Sequence, residues 1–456
     1  MSSLFGIMSV ALGALRASQG ALEATSNNVA NANTPGFSRQ RAVLVPGDPV
    51  TEGSLTFGTG VMLQRLESVR DPLLELRLDQ ESQHNSQLDS LVSSLQPIEV
   101  MFSDSNSGLG DGITKFFNSL NQLSTDPASL TLRQGVLAAA SNLANVFHST
   151  ASNMQLQRSN LDLNVGQAVV QVNQLTIQIA QLNHQIGTLE HVGQDGGALV
   201  DKRTQAIRQL AQLIDVSTIQ TGDGIALTTS NGTALVAGDQ SLALTAQLQP
   251  DGMLHVFSQD QDLTAQLTGG KLAGLLQVRD QSIPSLLGNL DTLAAGLANG
   301  LNAANRGGFD LSGAVGGDLL VPPPASGGGA AASFALAVND ASLLAASSDG
   351  SPGSGGNLAV LSAVHDQATI QGRTPTEFYA DLVASVGSEV SSGTAQLDAS
   401  QLILRQLHDQ RGAISGVWLD EEAANLLQYQ RAYQAAARVI TTVNDILDSA
   451  IHLGKD

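Results

Sequence analysis

The chain contains no cysteine among its 456 residues, and this absence excludes several kinds of chemistry at once. Without a thiol the chain has no disulfide, thiolate zinc site, iron–sulfur cluster or cysteine nucleophile. Aromatic residues make up only 3% of the chain. Charged residues make up 14%, against about 25% in an average protein. Hydrophobic residues still reach 42%, so the composition predicts a folded chain with substantial cores.

Basic residues are also scarce, with 21 Lys and Arg against 41 Asp and Glu, which gives a formal net charge of −20. Because a polyanion of this size repels phosphate backbones, we expect no nucleic-acid partner. No apolar run reaches the roughly 18 to 20 residues of a membrane span, so we expect no membrane span either. The N-terminal segment lacks a basic region followed by a continuous apolar run, and we expect no cleaved signal peptide. Two interpretations remain open, a cytosolic protein or export by a route without such a signal.

The sequence patterns that would indicate catalysis or metal binding are missing. His184 and His191 are the closest approach to a ligand pair, but they lack H-x-x-x-H spacing and a neighbouring acidic cluster. Lys271 follows two glycines but precedes Leu272 rather than Ser or Thr, so the segment is not a phosphate-binding loop. Carboxylates are numerous, but the scarcity of aromatic residues disfavours a glycosidase cleft. We therefore predict no enzyme activity, no cofactor and no metal.

Both ends of the chain predict amphipathic helices. Apolar residues recur in alternating steps of four and three from Leu4 to Val29, where Ser18 and Thr25 weaken the pattern, and without a break from Leu426 to Ala450. This spacing places each set on one stripe of a helix. Each stripe either packs on its own domain or pairs with the other end of the chain, antiparallel.

The middle of the chain predicts helices, then strands, then helices. Helical spacing covers about 72–101, about 128–190, 199–214, about 274–305, and a final run from about Thr376 through Leu407. Between Val216 and about Leu267 the period changes to two, with hairpin turns such as Asn231-Gly232. The predicted fold is mainly α with an inserted β-rich domain: terminal helices in a coiled-coil layer, a long helical bundle in the middle, and an outer β domain.

The segment from Asn27 to Phe37 has the pattern Asn-Asn-x-Ala-Asn-x-Asn-Thr-x-Gly-Phe. This segment resembles the N-terminal signature of bacterial flagellar axial proteins, the rods, hooks and hook-associated proteins. The continuation Ser38-Arg39-Gln40 is similar to the hook-associated protein 1 family, the first hook–filament junction proteins. The run from Ser415 to Ile440 is similar to the terminal motif of that family, although Trp418 stands where the family usually has Asn. Shorter similarities lie at Phe116-Phe117, 199–203, Arg279-Asp280 and Ile283-Pro284.

The resemblance implies a structural subunit that forms the junction ring between hook and filament. It implies export in an unfolded state through the flagellar type III apparatus, and terminal helices of many subunits packed as nested coiled coils. The implied partners are other copies in a ring, the hook protein, a second junction protein that leads to the filament, and a flagellar export chaperone. Alternatives are another flagellar axial protein, either hook or distal rod, and, with less support, an enzyme or adhesin carried on the inserted domain.

The sequence patterns and the resemblance together predict three domains. They are a terminal assembly domain (1–40 plus 415–456), a long-helix bundle (41–215 plus 274–305 plus 376–414) and an outer β-rich domain (216–273 plus 306–375). The asparagine amides either bond backbone between subunits or only cap the helix end. Gly36 is expected to take a positive φ and, with the preceding proline, to fix the angle at which the chain leaves the helix. The expected assembly interface comprises Leu15, Leu22, Asn27, Asn28, Val29, Asn31, Asn33, Thr34, Pro35, Gly36, Phe37, Ser38, Arg39, Leu426, Tyr429, Tyr433, Ile440, Val443 and Leu447.

Overall fold

The computed structural model describes residues 2–34, 36–52, 55–102, 108–191, 196–221, 224–325 and 328–453. Long helices dominate it, as the sequence predicts. They are α1 (Ser2–Ala30), α2 (Pro72–Phe102), α3 (Leu109–Leu123), α4 (Leu130–His191), α5 (Gly197–Leu213), α6 (Gly270–Gln277), α7 (Ile283–Arg306), α8 (Gly356–Ala363), α9 (Pro375–Ser415) and α10 (Leu419–Leu453). A π-helical turn, Val278–Ser282, joins α6 to α7.

The strands are short and antiparallel. They are β1 (Gln40–Pro46), β2 (Val50–Glu52), β3 (Leu55–Phe57), β4 (Val61–Ser68), β5 (Ser217–Thr221), β6 (Gly224–Thr228), β7 (Ala234–Ala237), β8 (Gln240–Ser241), β9 (Leu244–Leu248), β10 (Leu254–Ser258) and β11 (Gln261–Asp262). Two pairs, β1–β4 and β2–β3, lie early in the chain. A four-stranded sheet has the order β5-β6-β7-β8, and a three-stranded sheet has the order β11-β10-β9.

The described chain divides into two compact units. Unit 1 comprises Met1–Gln83, Val172–Ala243 and Ser400–Asp456, and unit 2 comprises His84–Gln171 and Leu244–Ala399. The period-two segment therefore forms two sheets, one in each unit. Its strands are confirmed, whereas the outer position of a β domain stays a prediction.

The core of unit 2 contains the buried row of α4 that the heptad spacing predicts, including Leu161, Val165 and Ala168. In the same unit α6 lies close against α2. A β-carbon at Gly274 would lie only 2.4 Å from the carbonyl oxygen of Gln87, so this contact admits no side chain. Gly274 allows the two helix backbones to approach closely, and it does not form a turn.

Two local expectations differ from the structure. Strands β1–β4 fall where the sequence predicted helical bundle, and their residues are mostly half-buried or exposed, with a register shift between Val43 and Leu44. Irregular, solvated strands give little periodic signal. The second part of the expected β-rich domain, 306–375, has β structure only as isolated bridges in its described residues, such as the one between Leu320 and Leu336, together with a short 3-10 turn, Ala341–Leu343.

Candidate assembly site at the paired chain termini

The two terminal helices, α1 and α10, pack against each other within unit 1. The C-terminal end of α1 meets the N-terminal end of α10, so the pair is antiparallel. Ala11 on α1 and Ala436 and Val443 on α10 are buried. The interpretation that the two ends of the chain pair with each other is confirmed.

A second side of α1 is covered by the β1–β4 hairpin. A β-carbon at Gly13 would lie 2.8 Å from the carbonyl oxygen of Val61, and one at Gly20 would lie 2.4 Å from the Leu63 side chain. Small residues on α1 therefore let the hairpin approach the helix closely. As a result, α1 has partners on two sides inside a single chain.

Asn28, near the end of α1, is the second residue of the signature segment and is 1% exposed. Its Nδ2 donates to the carbonyl oxygen of Gln40 at 2.8 Å and to Glu422 Oε2 at 3.1 Å. The backbone N–H of Gln40 donates back to Asn28 Oδ1 at 2.8 Å. One amide thus joins the end of α1, the start of β1 and the first turn of α10.

Arg39 adds a charged contact at the same place. Its Nη1 donates to Glu421 Oε2 at 2.9 Å, and its Nε lies 2.7 Å from Glu422 Oε1. The second contact is an ion pair by distance, but its N–H is not directed at the oxygen, which has no hydrogen bond. The backbone N–H of Arg39 donates to the carbonyl oxygen of Ser415 at 2.9 Å, which fixes the signature segment beside the end of α9.

Ser38 is 1% exposed and lies between two arginines. Its Oγ accepts hydrogen bonds from Arg70 Nε at 3.1 Å and from Arg411 Nη2 at 3.2 Å. Arg411 Nη2 also donates to the carbonyl oxygen of Gly36 at 2.9 Å. Gly36 has φ of +84°, as expected. The turn after α1 is therefore held by arginines from α9 and from the segment before α2.

Those arginines belong to a cluster of charged side chains within unit 1. Arg411 Nε contacts Glu75 Oε1 at 2.7 Å, and Arg70 pairs with Asp201. Burial raises the pKa of Asp201, an effect that its bond to Arg70 opposes. Burial also raises the pKa of Asp79 to about 6. The nearby Glu75 carboxylate adds to this rise, and Arg208, whose Nε lies 3.7 Å from Asp79 Oδ1, opposes it.

Of the remaining asparagines in the signature segment, Asn27 and Asn31 form side-chain hydrogen bonds to nearby residues. Asn27 Nδ2 donates to Gln40 Oε1 at 3.1 Å, and Asn31 Nδ2 donates to Asn27 Oδ1 at 2.8 Å. Thr34 Oγ1 donates to Asn31 Oδ1 at 3.2 Å. Asn33 is exposed. The chain thus uses three of the four amides internally, and contacts between subunits stay a prediction.

The predicted interface residues differ widely in exposure. Asn28, Ser38 and Val443 are buried, whereas Val29, Asn33, Thr34 and Tyr433 are exposed. Pro35 lies outside the described residues. The half-buried group comprises Leu15, Leu22, Asn27, Asn31, Gly36, Phe37, Arg39, Leu426, Tyr429, Ile440 and Leu447.

A second apolar row on the terminal helices was missed by the heptad reading. Phe5 and Leu12 on α1 are 59% and 41% exposed, and Val439 and Ile446 on α10 are 41% and 46% exposed. Members of each pair are seven residues apart and so lie on one side of their helix. The seven-residue spacing of this row is visible in the sequence. The longer apolar row, which pairs the two helices, is the stronger pattern.

Comparison with known proteins supports a flagellar assignment along the chain. The model of the flagellar hook-associated protein FlgK helical domain matches residues 95–320. The flagella basal body rod protein model matches 8–37, and the flagellar basal body rod FlgEFG protein C-terminal model matches 410–453. Flagellar hook-associated protein 1 of Bacillus subtilis (strain 168) is 28% identical over 502 residues, covering 99% of both chains. That of Escherichia coli (strain K12) is 26% identical over 552 residues, covering 99% of this chain and 100% of the relative.

The chain belongs to the flagellar hook-associated protein 1 family. The fold agrees: the flagellar hook junction protein FlgK from Burkholderia pseudomallei superposes with a TM-score of 0.67 at 18% identity, covering 74% of this chain and all of that one. Members of this family are structural proteins of the bacterial flagellum, and so is this chain. The two rod-protein models match segments that include most of α1 and all of α10.

Two further observations concern membrane-spanning helices and metal-binding clusters. Within the described ranges, no helix is long and apolar enough to cross a membrane. Among the same residues, no three His, Asp or Glu side chains come together as a set that could hold a metal ion.

Proposed function

We propose that this chain forms the junction ring between the flagellar hook and filament. Support comes from relatives that align over nearly their whole length and carry the name hook-associated protein 1, and from a structural neighbour titled a hook junction protein. In this role one face of the ring contacts the hook protein. The other face contacts a second junction protein that leads to the filament.

The observation that carries the proposal is the exposed apolar surface of the paired terminal helices. Phe5, Leu12, Val439 and Ile446 remain in solvent although each helix already packs inside the chain. Apolar surface left on a helix pair marks a site of association. Terminal helices of neighbouring copies cover this surface as a coiled-coil layer, in which the exposed members of the predicted interface, such as Val29 and Tyr433, take part.

Export in an unfolded state through the flagellar type III apparatus, assisted by a chaperone, completes the proposed role. The absence of cysteine suits such a route, since no disulfide has to form outside the cell. The strands after Val216 and the segment 306–375 form the proposed outer domain. We further propose that the chain has no enzyme activity, and a specific side chain labelled by a broad panel of activity-based probes would contradict this.

Electron microscopy of cells that lack this chain tests the junction role. Intact hooks without filaments, with filament subunits released into the medium, are the expected result, and restoring the gene should restore filaments. Cells that keep a normal number of filaments would refute the proposal. Cells that lack hooks as well would instead point to a hook or distal rod protein.

A further inference from the structure

Helix α4 carries a row of apolar side chains that faces solvent in unit 2. Leu156, Leu163 and Val170 are 61%, 63% and 56% exposed. They are seven residues apart, so they lie along one side of the helix. At 1.5 Å per residue the row is roughly 21 Å long. We name these three residues the α4 stripe. The same spacing continues in the sequence to Ile177, which is also exposed.

The α4 stripe is distinct from the core face of the same helix. Leu161, Val165 and Ala168 are buried, at 2%, 0% and 1% exposure, and supply the packing that the helix needs. Single exposed apolar residues are ordinary on a protein surface, but a regular row of them is not. The stripe therefore is a surface left without a partner in the single chain.

The exposed residues of α4 beside the stripe carry no charge. The other exposed residues of α4 between 152 and 171 are all Ser, Asn or Gln. The two charged residues of this stretch bond to the rest of unit 2. Arg158 Nε donates to the carbonyl oxygen of Arg279 at 3.0 Å, and Asp162 Oδ1 accepts from Arg279 Nη1 at 2.6 Å. A chain with a net charge of −20 thus presents an uncharged face here.

We propose that the α4 stripe packs against a second copy of this chain. Two copies of an acidic chain repel each other where charged surfaces meet, and contact on an uncharged face avoids that repulsion. A basic partner would instead be attracted to acidic surface, which this face does not offer. The inference rests on the proposed function, because a ring holds copies side by side.

Photo-crosslinking tests which protein packs against the α4 stripe. A benzophenone amino acid replaces Leu163 in cells that lack the native gene, and isolated flagella are irradiated. The expected product has twice the mass of the chain and yields peptides of this chain alone. Crosslinks to a different protein, or none although filaments are attached, would overturn the inference while leaving the junction role intact. If no copy were present in the flagella, the junction role would fail, and the same crosslinking on concentrated purified chain would decide the inference.

A pair of substitutions gives an independent readout. Leu163→Asp places a charge on the stripe and should reduce the yield of dimer, trapped by a crosslinker at Val170, by about tenfold or more. Leu248→Asp is the matched control, because Leu248 is 70% exposed in the same unit but off the stripe. Both variants should keep the melting temperature of the native chain. Equal dimer yields in the two variants would contradict the proposal.

Discussion

The side-chain amide of Asn28 donates a hydrogen bond to the carboxylate of Glu422 at 3.1 Å, although 394 positions separate the two residues. Asn28 belongs to the last turns of α1, and Glu422 belongs to the first turn of α10. Both residues are 1% exposed. The bond fixes the end of one terminal helix to the start of the other, and it does so inside a single chain.

Replacing Glu422 should loosen the terminal pair. Glu422→Ala leaves the Asn28 amide without its buried acceptor and Arg39 without an ion-pair partner, which should cost about 1–3 kcal/mol of stability. Hydrogen exchange of α1 and α10 amides in the purified chain measures the loss. Glu421→Ala is the control, since Glu421 pairs with the same arginine but its side chain is 61% exposed. That variant should lose at most about 1 kcal/mol. Equal losses would show that Glu422 is no more than a surface partner.

Asp79 should make the stability of unit 1 depend on pH. Burial raises its pKa from 3.8 to about 6 in the folded chain. The folded state therefore binds the proton more tightly, and this contribution is complete below pH 3.8 and is lost as pH rises through about 6. Between about pH 4.5 and about pH 7.5 the loss amounts to about 2 kcal/mol.

The variant Asp79→Asn isolates this effect, because an amide does not titrate in that range. Urea unfolding of the native chain and the variant at the two pH values gives the comparison. The native chain should lose about 2 kcal/mol more than the variant on going to the higher pH. The same loss in both proteins would assign it to another group whose pKa is raised by burial, such as Asp201, and would contradict the role of Asp79.

Arg279 should be essential to the core of unit 2. Its side chain is fully buried, and its Nη1 donates to Asp162 Oδ1 at 2.6 Å and to the carbonyl oxygen of Leu254 at 2.7 Å. Arg279→Ala leaves the carboxylate of Asp162, only 14% exposed, without this charge partner, and loss of a partner from a buried pair typically costs about 3–5 kcal/mol. Arg373→Ala breaks an exposed pair with Asp381 in the same unit and should cost at most about 1 kcal/mol. Urea unfolding distinguishes the two, and a stable Arg279 variant would contradict the expectation.

Helices and the pairing of the chain ends could be predicted from the sequence because both depend on regular apolar spacing. The buried row of α4 and the seams of α1 and α10 are examples. The β1–β4 hairpin could not be predicted in this way, since its strands are short and most of their residues are half-buried or exposed without a regular alternation. It packs on α1 through Gly13 and Gly20, whose role is visible only when Val61 and Leu63 are in place.

The resemblance pointed to the right segment but not to its contacts. Arg279 and Ser38 belong to the similar motifs. Arg279 pairs with its neighbour Asp280, but it also bonds to Asp162, which lies 117 positions away. Arg411 is 373 positions from Ser38, so no local pattern could indicate their bond. The exposed row at Val439 and Ile446 follows seven-residue spacing, yet spacing alone does not show which of two rows packs inside the chain.

Filament counts in cells expressing terminal-helix variants test the central claim, that copies assemble through the exposed face of the paired helices. Ile446→Asp places a charge on that face, and Asp448→Ala is the control on an exposed residue of the same helix. We predict that the Ile446 variant, with an unchanged melting temperature and normal export, leaves hooks bare under the electron microscope, while the control carries filaments. A normal number of filaments on cells with the Ile446 variant would contradict the account.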